Sequence, residues 1–298
     1  MGKDVEWKSY FQDNHRYADI INGIGCDGIQ LVKDTDLQEV DVTSRKKSRD
    51  LLRRTAFGMN FALIGIENQD EVDYEFPLRN MYYDAQQYQK QVIKIRKELK
   101  ENNEKLKPGE YMYGFKKDSK LHPIITFVLY SGKEPWDGPS CLHDILDFSD
   151  IPNRLRDMVS DYSVNIIDIR RLDRTDMFKT DVRFVFDFIR CSDDKEQLIN
   201  LVQNNEYYRQ MDVDAFDVVT KYTNSRELVS IKEYQVNGGK ADMCKAIRDL
   251  MDDSREEGIE LNKVENAKNL LDVLSDEVIA EKIGLPIERV RKLRAAEK

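Results

Sequence analysis

The sequence predicts an α/β protein: a small mixed sheet with a central hairpin flanked by helices, followed by a helical C-terminal region. Three observations predict it. Apolar-rich runs flank Phe57-Gly58-Met59-Asn60, a hairpin signal. Two further apolar runs, HPIITFVLYSG (122–132) and SVNIIDIRRL (163–172), follow a long helical stretch and read as strands. From 174 onward the pattern is helical, which gives the sheet its cover.

Each element has its own reason. Residues 8–24 place Tyr10, Phe11, Tyr17, Ile20, Ile21 and Ile24 near helical spacing, so a first amphipathic helix is expected there, ended by Gly23, Gly25 and Gly28. Residues 28–42 give a short extended piece and a polar connection. In the hairpin, 49–69, the second run from Phe61 to Ile66 is almost wholly apolar, as a strand buried on both faces would be. A long helix starts near Pro77, a residue suited to a first turn, and runs to about 105. Leu78, Met81, Tyr82, Ala85 and Tyr88 line one side of it, and a loop around Lys107-Pro108-Gly109 follows. CLHDILDF (141–148) reads as a short helix, and 174–222 and 223–258 as further helices. This divides the chain into a core at 8–195, a helical extension at 196–262 and a small helical tail at 263–298. In the tail, Ser275 precedes Asp276 and Glu277 as an N-cap. Ala280, Gly284 and Val290 fall where a helix-turn-helix has its small contact, its turn and its second-helix core; a generic helical hairpin is the alternative.

Composition excludes several classes of function. No run approaches the ~20 apolar residues of a membrane span, and the charged N-terminus has no secretory h-region. Four widely spaced cysteines and three histidines exclude a zinc finger, a disulfide scaffold and multi-imidazole chemistry; reduced thiols in a cytoplasmic protein are expected. A net charge of −9 argues against bulk coating of nucleic acid but allows an enzyme that touches DNA at one basic patch.

The candidate chemistry lies in the hairpin. Asp50 begins its first strand and Glu67 ends its second, just past four apolar residues. With the turn centred between Gly58 and Met59, residues pair when their numbers sum to 117, which places Asp50 opposite Glu67 with Cβ atoms roughly 5 Å apart. Gln69 shares the face of Glu67. Two opposed carboxylates repel unless a cation lies between them, and hard oxygen ligands suit Mg²⁺ or Mn²⁺. Such an ion would stabilise charge on a phosphate under attack and lower the pKa of a bound water, while Gln69 would orient water or phosphate by hydrogen bonding. The alternative is structural: Asp50 pairs with Arg53 or Arg54, and Glu67 caps a strand end.

Asp50 followed by Glu67-x-Gln69 at the end of an apolar strand resembles the PD-(D/E)XK nuclease signature. More narrowly, the chain resembles the recombination-promoting nuclease (Rpn) / putative transposase family of bacteria. The resemblance lies in Tyr17-Ala18-Asp19-Ile20-Ile21-Asn22, Arg49-Asp50, Gly65-Ile66-Glu67-Asn68-Gln69, Pro77 through Asp84, Tyr88 to Gln91, and Val128 through Trp136. It implies a restriction-endonuclease-like core and a divalent-metal-dependent DNA endonuclease, a phosphodiester hydrolase linked to DNA recombination. It implies Asp50 and Glu67 as metal ligands and catalytic residues, Gln69 in the place of the superfamily's usual Lys, and Asp19 as a further acid of the metal shell. The Gln departs from that pattern and puts the turnover rate in question. Tyr88 and Gln91 share a helix face, and related nucleases use a Tyr and Gln there to support the site or DNA; surface polarity is the alternative. Arg79 is a candidate for a phosphate or for a partner such as Asp84.

Arg45, Lys46, Lys47, Arg49, Arg53 and Arg54 flank Asp50, so positive potential is expected beside the acids, as a DNA backbone requires. DNA is the expected partner, with no membrane association. A homodimer is open, since cutting both strands commonly uses two sites, although no residue signals it. Two other readings compete: a catalytically weak DNA-binding or regulatory protein that keeps the fold, and a structural interaction protein. Despite the family's name there is no D-D-E pattern, and transposition is not expected.

Overall fold

The structure is a computed structural model that describes residues 3–39, 51–56, 59–66, 72–103, 105–222, 235–236 and 239–296. The chain divides into two compact units, residues 1–201 with 213–223, and residues 202–212 with 224–298. This differs from the expected three-way partition. The segment 196–262 is not a body of its own, because its 213–223 stretch packs into the first unit and its remainder groups mainly with the tail.

The first unit is built on a five-stranded sheet in the order β1-β2-β3-β4-β5. Strands β1 (Gln38–Glu39), β2 (Leu51–Ala56) and β3 (Met59–Ile66) form an antiparallel meander. Helix α3 (Phe76–Glu101) then carries the chain over to β4 (Ile124–Tyr130), which lies parallel to β3. Strand β5 (Asn165–Asp168) adds in parallel beyond it. A parallel neighbour requires a crossover, and α3 supplies it. Phe127, Val128, Leu129 and Tyr130 are all buried, as suits an interior strand flanked on both sides.

A helical layer encloses an aromatic core. The expected single helix over 8–24 is instead α1 (Lys3–Tyr10), α2 (Asn14–Ile20) and a π-helical turn, Ile21–Gly25. The break has a local cause: the Asp13 side chain accepts the His15 N–H at 2.7 Å and starts a new helix. Trp7 stacks on Phe11 at 5.3 Å and donates its indole N–H to the Tyr222 hydroxyl at 3.0 Å. Arg16, 6% exposed, ties α2 to two later helices, α6 (Val182–Cys191) and α8 (Val213–Thr220). It donates to Asp181 at 2.8 Å, at the start of α6, and to Asp214 in α8. Burial works against its charge, but the two carboxylates outweigh that and hold the guanidinium pKa above its ordinary value.

Between α3 and α6 short helical segments interrupt the chain. Helix α4 (Pro108–Tyr113) stands where a loop was expected. Pro108 in its first turn, Glu110 accepting the Lys107 N–H at 3.0 Å and Gly114 at its left-handed end account for it. Residues 142–145 form a 3₁₀ turn and α5 is Asn153–Arg156. Helix α7 (Lys195–Asn204) follows α6.

The second unit corrects the expectation of an all-helical extension. It contains a small antiparallel sheet, β6 (Met211–Asp212), β8 (Lys240–Ala241) and β7 (Gln235–Val236), in the order β6-β8-β7. Strands of two residues carry no periodicity, so nothing in the pattern announced them. Asp242 caps α9 (Met243–Leu270) through the Lys245 N–H at 2.8 Å. Helices α10 (Asp276–Ile283) and α11 (Ile287–Ala296) complete the unit. Among the described residues no helix is long and apolar enough to cross a membrane.

Candidate active site

Strands β3, β4 and β5 run parallel, so their C-terminal ends meet at one edge, with Ile66 opposite Tyr130 and Tyr130 opposite Asp168. The antiparallel β2 starts at the same edge, its Leu51 opposite Ile64. Open α/β sheets bind ligands at such carboxyl ends. Asp50 is the residue before Leu51 in sequence and Glu67 the residue after Ile66.

The ladder itself corrects the expected pairing. Ala56 faces Met59, Thr55 faces Asn60, and every pair sums to 115 rather than 117. The register is thus shifted by two residues and its centre lies one residue earlier, between positions 57 and 58. Asp50, Glu67, Gln69 and Arg49 lie outside the described residues, as do Arg45, Lys46 and Lys47. Arg53 stands in β2 opposite Ala62, and Arg54 opposite Phe61.

The remaining candidates have structural duties. Asp19 is 2% exposed, and its carboxylate accepts the Lys179 N–H at 2.9 Å, the Thr180 N–H at 2.7 Å and the Thr180 hydroxyl at 2.6 Å. These donors fasten α2 to the segment leading into α6, and this geometry lends no support to a metal-ligand role for Asp19. The Tyr88 hydroxyl accepts the Ile124 N–H at 3.1 Å. The Gln91 amide exchanges two hydrogen bonds with the His122 backbone, at 2.7 and 3.1 Å. Together they clamp α3 to the entrance of β4, at the end opposite the C-terminal edge. Arg79 pairs with Asp73 at 2.6 Å, not with Asp84, and lies 5.1 Å over the Phe76 ring.

At the C-terminal edge the motif from Tyr130 to Trp136 folds back on itself. The Tyr130 ring turns back under its own loop, donating its hydroxyl to the Glu134 carbonyl at 2.7 Å and meeting Trp136 edge-on at 5.2 Å. Gly132 is required there, because a Cβ would lie 2.2 Å from the Tyr130 hydroxyl oxygen. The Arg170 guanidinium, beyond β5, donates to the Ser131 carbonyl at 2.8 Å, the Ile189 carbonyl at 2.9 Å and Asp193 at 2.6 Å. Asp168 Oδ1, at the end of β5, and Asn80 Oδ1, in the first turns of α3, are buried without a hydrogen-bond partner among the described residues.

One turn along α3 from Asn80, the buried Asp84 accepts the Thr126 hydroxyl of β4 at 3.2 Å and the hydroxyl of Tyr162. Burial first, then the Asp84 carboxylate, pushes the Tyr162 phenol pKa up. Sequence reasoning missed this acid as a site. Its signal was a polar pair at i and i+4, Asn80 and Asp84, which share one helix face. No group of three or more His, Cys, Asp or Glu side chains that would hold a metal occurs among the described residues. They do not supply a divalent ion's donor set by themselves.

Residues 58–213, just over half of the chain, match the family described as "Putative transposase, YhgA-like". The chain belongs to this YhgA-like transposase family. The matched region spans β3, the stretch with Glu67 and Gln69, α3, β4, β5 and the helices through α7, and it begins after Asp50. No curated protein and no solved structure matches the chain.

Proposed function

We propose that the chain is a divalent-metal-dependent DNA endonuclease linked to DNA recombination, with its site at the C-terminal edge of the sheet. The observation that carries this is the succession helix, three-strand meander, crossover helix, parallel strand, which brings the start of β2 and the end of β3 to one edge. Membership of the YhgA-like transposase family supports action on DNA. The register of the described pairs, Leu51 with Ile64 through Ala56 with Met59, is two residues away from the one that would oppose Asp50 and Glu67 directly. A shift of two preserves the alternation of faces, so the proposal that the two acids act together survives it.

In this reading Asp50 and Glu67 hold Mg²⁺ or Mn²⁺. The ion, when bound, supplies charge neutralisation at phosphorus and an acidified water. Gln69 positions water or a phosphate oxygen by hydrogen bonding, without contributing charge. Arg49 and Arg53 approach the DNA backbone. Asp168, at the end of β5, carries a buried oxygen with no hydrogen-bond partner among the described residues.

The test is supercoiled plasmid incubated with the full chain. The expected result is nicking or cutting with Mg²⁺ or Mn²⁺, none with EDTA, and loss of activity in Asp50→Ala and Glu67→Ala. Cleavage that survives chelation or both substitutions would overturn the proposal.

A further inference from the structure

The C-terminal portion of the second unit has the anatomy of a helix-turn-helix. Ile279 in α10, Leu285 in the turn, Val290 in α11, and Ala267 and Leu271 from the end of α9 form one buried cluster. Leu274, Ile283 and Leu293 pack against it. The three-residue turn begins with Gly284 at φ +74°, whose N–H closes α10 on the Ala280 carbonyl at 3.0 Å. A left-handed residue there followed by Leu285-Pro286 ends the first helix and starts the second after a short turn, as this motif needs.

The charges on α11 divide by duty. Arg294 is structural: it donates to Asp276 at 2.6 Å, to the Leu274 carbonyl at 2.7 Å and to the Leu271 carbonyl, and so locks α11 onto the start of α10. Arg289 is held by Glu260 of α9 at 2.8 Å. Arg291 and Lys292 are exposed on the side away from Val290, together with Glu288 and Ala295. Arg291 makes only surface pairs, with Glu288 at 3.3 Å and Glu277 at 3.6 Å, which are worth little and exchange readily for phosphate. Lys292 has no ion pair among the described residues. Four bases against one acid over ten residues make α11 a basic helix in a chain of net charge −9.

We propose that α11 is a recognition helix for double-stranded DNA, docking in the major groove through the face that carries Arg291, Lys292 and the small Ala295. A short helix whose inner side is locked by a buried cluster and an arginine clamp, and whose outer side is basic, fits a duplex groove. The inference adds a second DNA contact to the nuclease reading but does not depend on cleavage.

The experiment is fluorescence anisotropy of the full chain with a labelled 20-base-pair duplex in EDTA, across a salt series. Arg291→Ala/Lys292→Ala should weaken binding about tenfold and lower the salt slope by about two. Glu288→Gln should tighten it several-fold. Lys97→Ala, in α3, serves as the surface-charge control. Unchanged affinity and slope in the double variant, or loss equal to that of the control, would overturn the inference. Tail-dependent binding without any plasmid cleavage would sustain it while the nuclease reading fails. Cleavage by the parent chain, with binding indifferent to the tail, would do the reverse.

Discussion

Asp19 separates an anchor from a ligand, and its replacement gives the sharpest test of the site's composition. In Asp19→Ala the amides of Lys179 and Thr180 and the Thr180 hydroxyl lose their acceptor at a position 2% exposed. A buried donor left unpaired costs roughly 1–3 kcal/mol. Two amides thus set the loss at about 3–5 kcal/mol, since the hydroxyl can rotate toward another partner. At ~2–4 °C per kcal/mol for a chain of this size, the melting temperature should fall by about 10 °C. Asp19→Asn keeps one carbonyl oxygen and should lose about half as much. The assay is thermal unfolding of the full chain with EDTA and with Mg²⁺. An anchor predicts the same loss in both, with any metal-induced rise in melting temperature unchanged. A ligand predicts little loss in EDTA and disappearance of that rise. The second outcome would refute the structural role assigned to this carboxylate.

Burial, then Glu6 and Asp214 against the opposing Lys221, push the Asp217 pKa up to about 6. The folded state therefore binds more protons than the unfolded one between about pH 4 and 6, and stability is lost as pH rises through that window. Asp217→Asn should raise the unfolding free energy at pH 7.5 by roughly 1 kcal/mol after allowance for solvent screening, and have little effect at pH 4; equal effects at both in chemical denaturation would contradict this. Gly132→Ala places a methyl 2.2 Å from the Tyr130 hydroxyl oxygen and should cost about 1–3 kcal/mol in chemical denaturation; an unchanged midpoint would show that the ring does not turn under the loop. Gln69→Lys supplies the cation the motif usually carries, so metal-dependent plasmid cleavage should persist and quicken. Complete loss of cleavage would contradict the place given to that residue.

The sheet was legible because its strands are apolar runs bounded by turn residues, and Phe61–Ile66 and Ile124–Tyr130 stand where their composition put them. Its register was not. Phe57-Gly58 and Gly58-Met59 are both tolerable turn centres, and an apolar strand like Phe61–Ile66 has no alternation to choose between them. The helix break at Asp13 was readable in principle as an N-cap but was masked by the continuous spacing of Tyr10, Tyr17 and Ile20. The two-residue strands of the second unit carry too few side chains to signal anything. Of the described candidate residues, the duties were not legible. Tyr88, Gln91 and Asp19 are polar residues spent on backbone amides far away in sequence, and spacing along the chain cannot reveal such partners. In the tail, Gly284 and Val290 were legible because a left-handed turn and a buried apolar position act locally, whereas Ser275 stands at the N-cap of α10 without a side-chain capping bond.

The central claim is that one hard ion is shared by Asp50 and Glu67. The most direct measurement is the anomalous signal of Mn²⁺ in crystals of the full chain grown with that ion. The account predicts a single peak at the C-terminal edge of β3, with a carboxylate oxygen of each residue roughly 2.0–2.3 Å away. A peak elsewhere, or carboxylates too far apart to touch a common ion at saturating Mn²⁺, would contradict it.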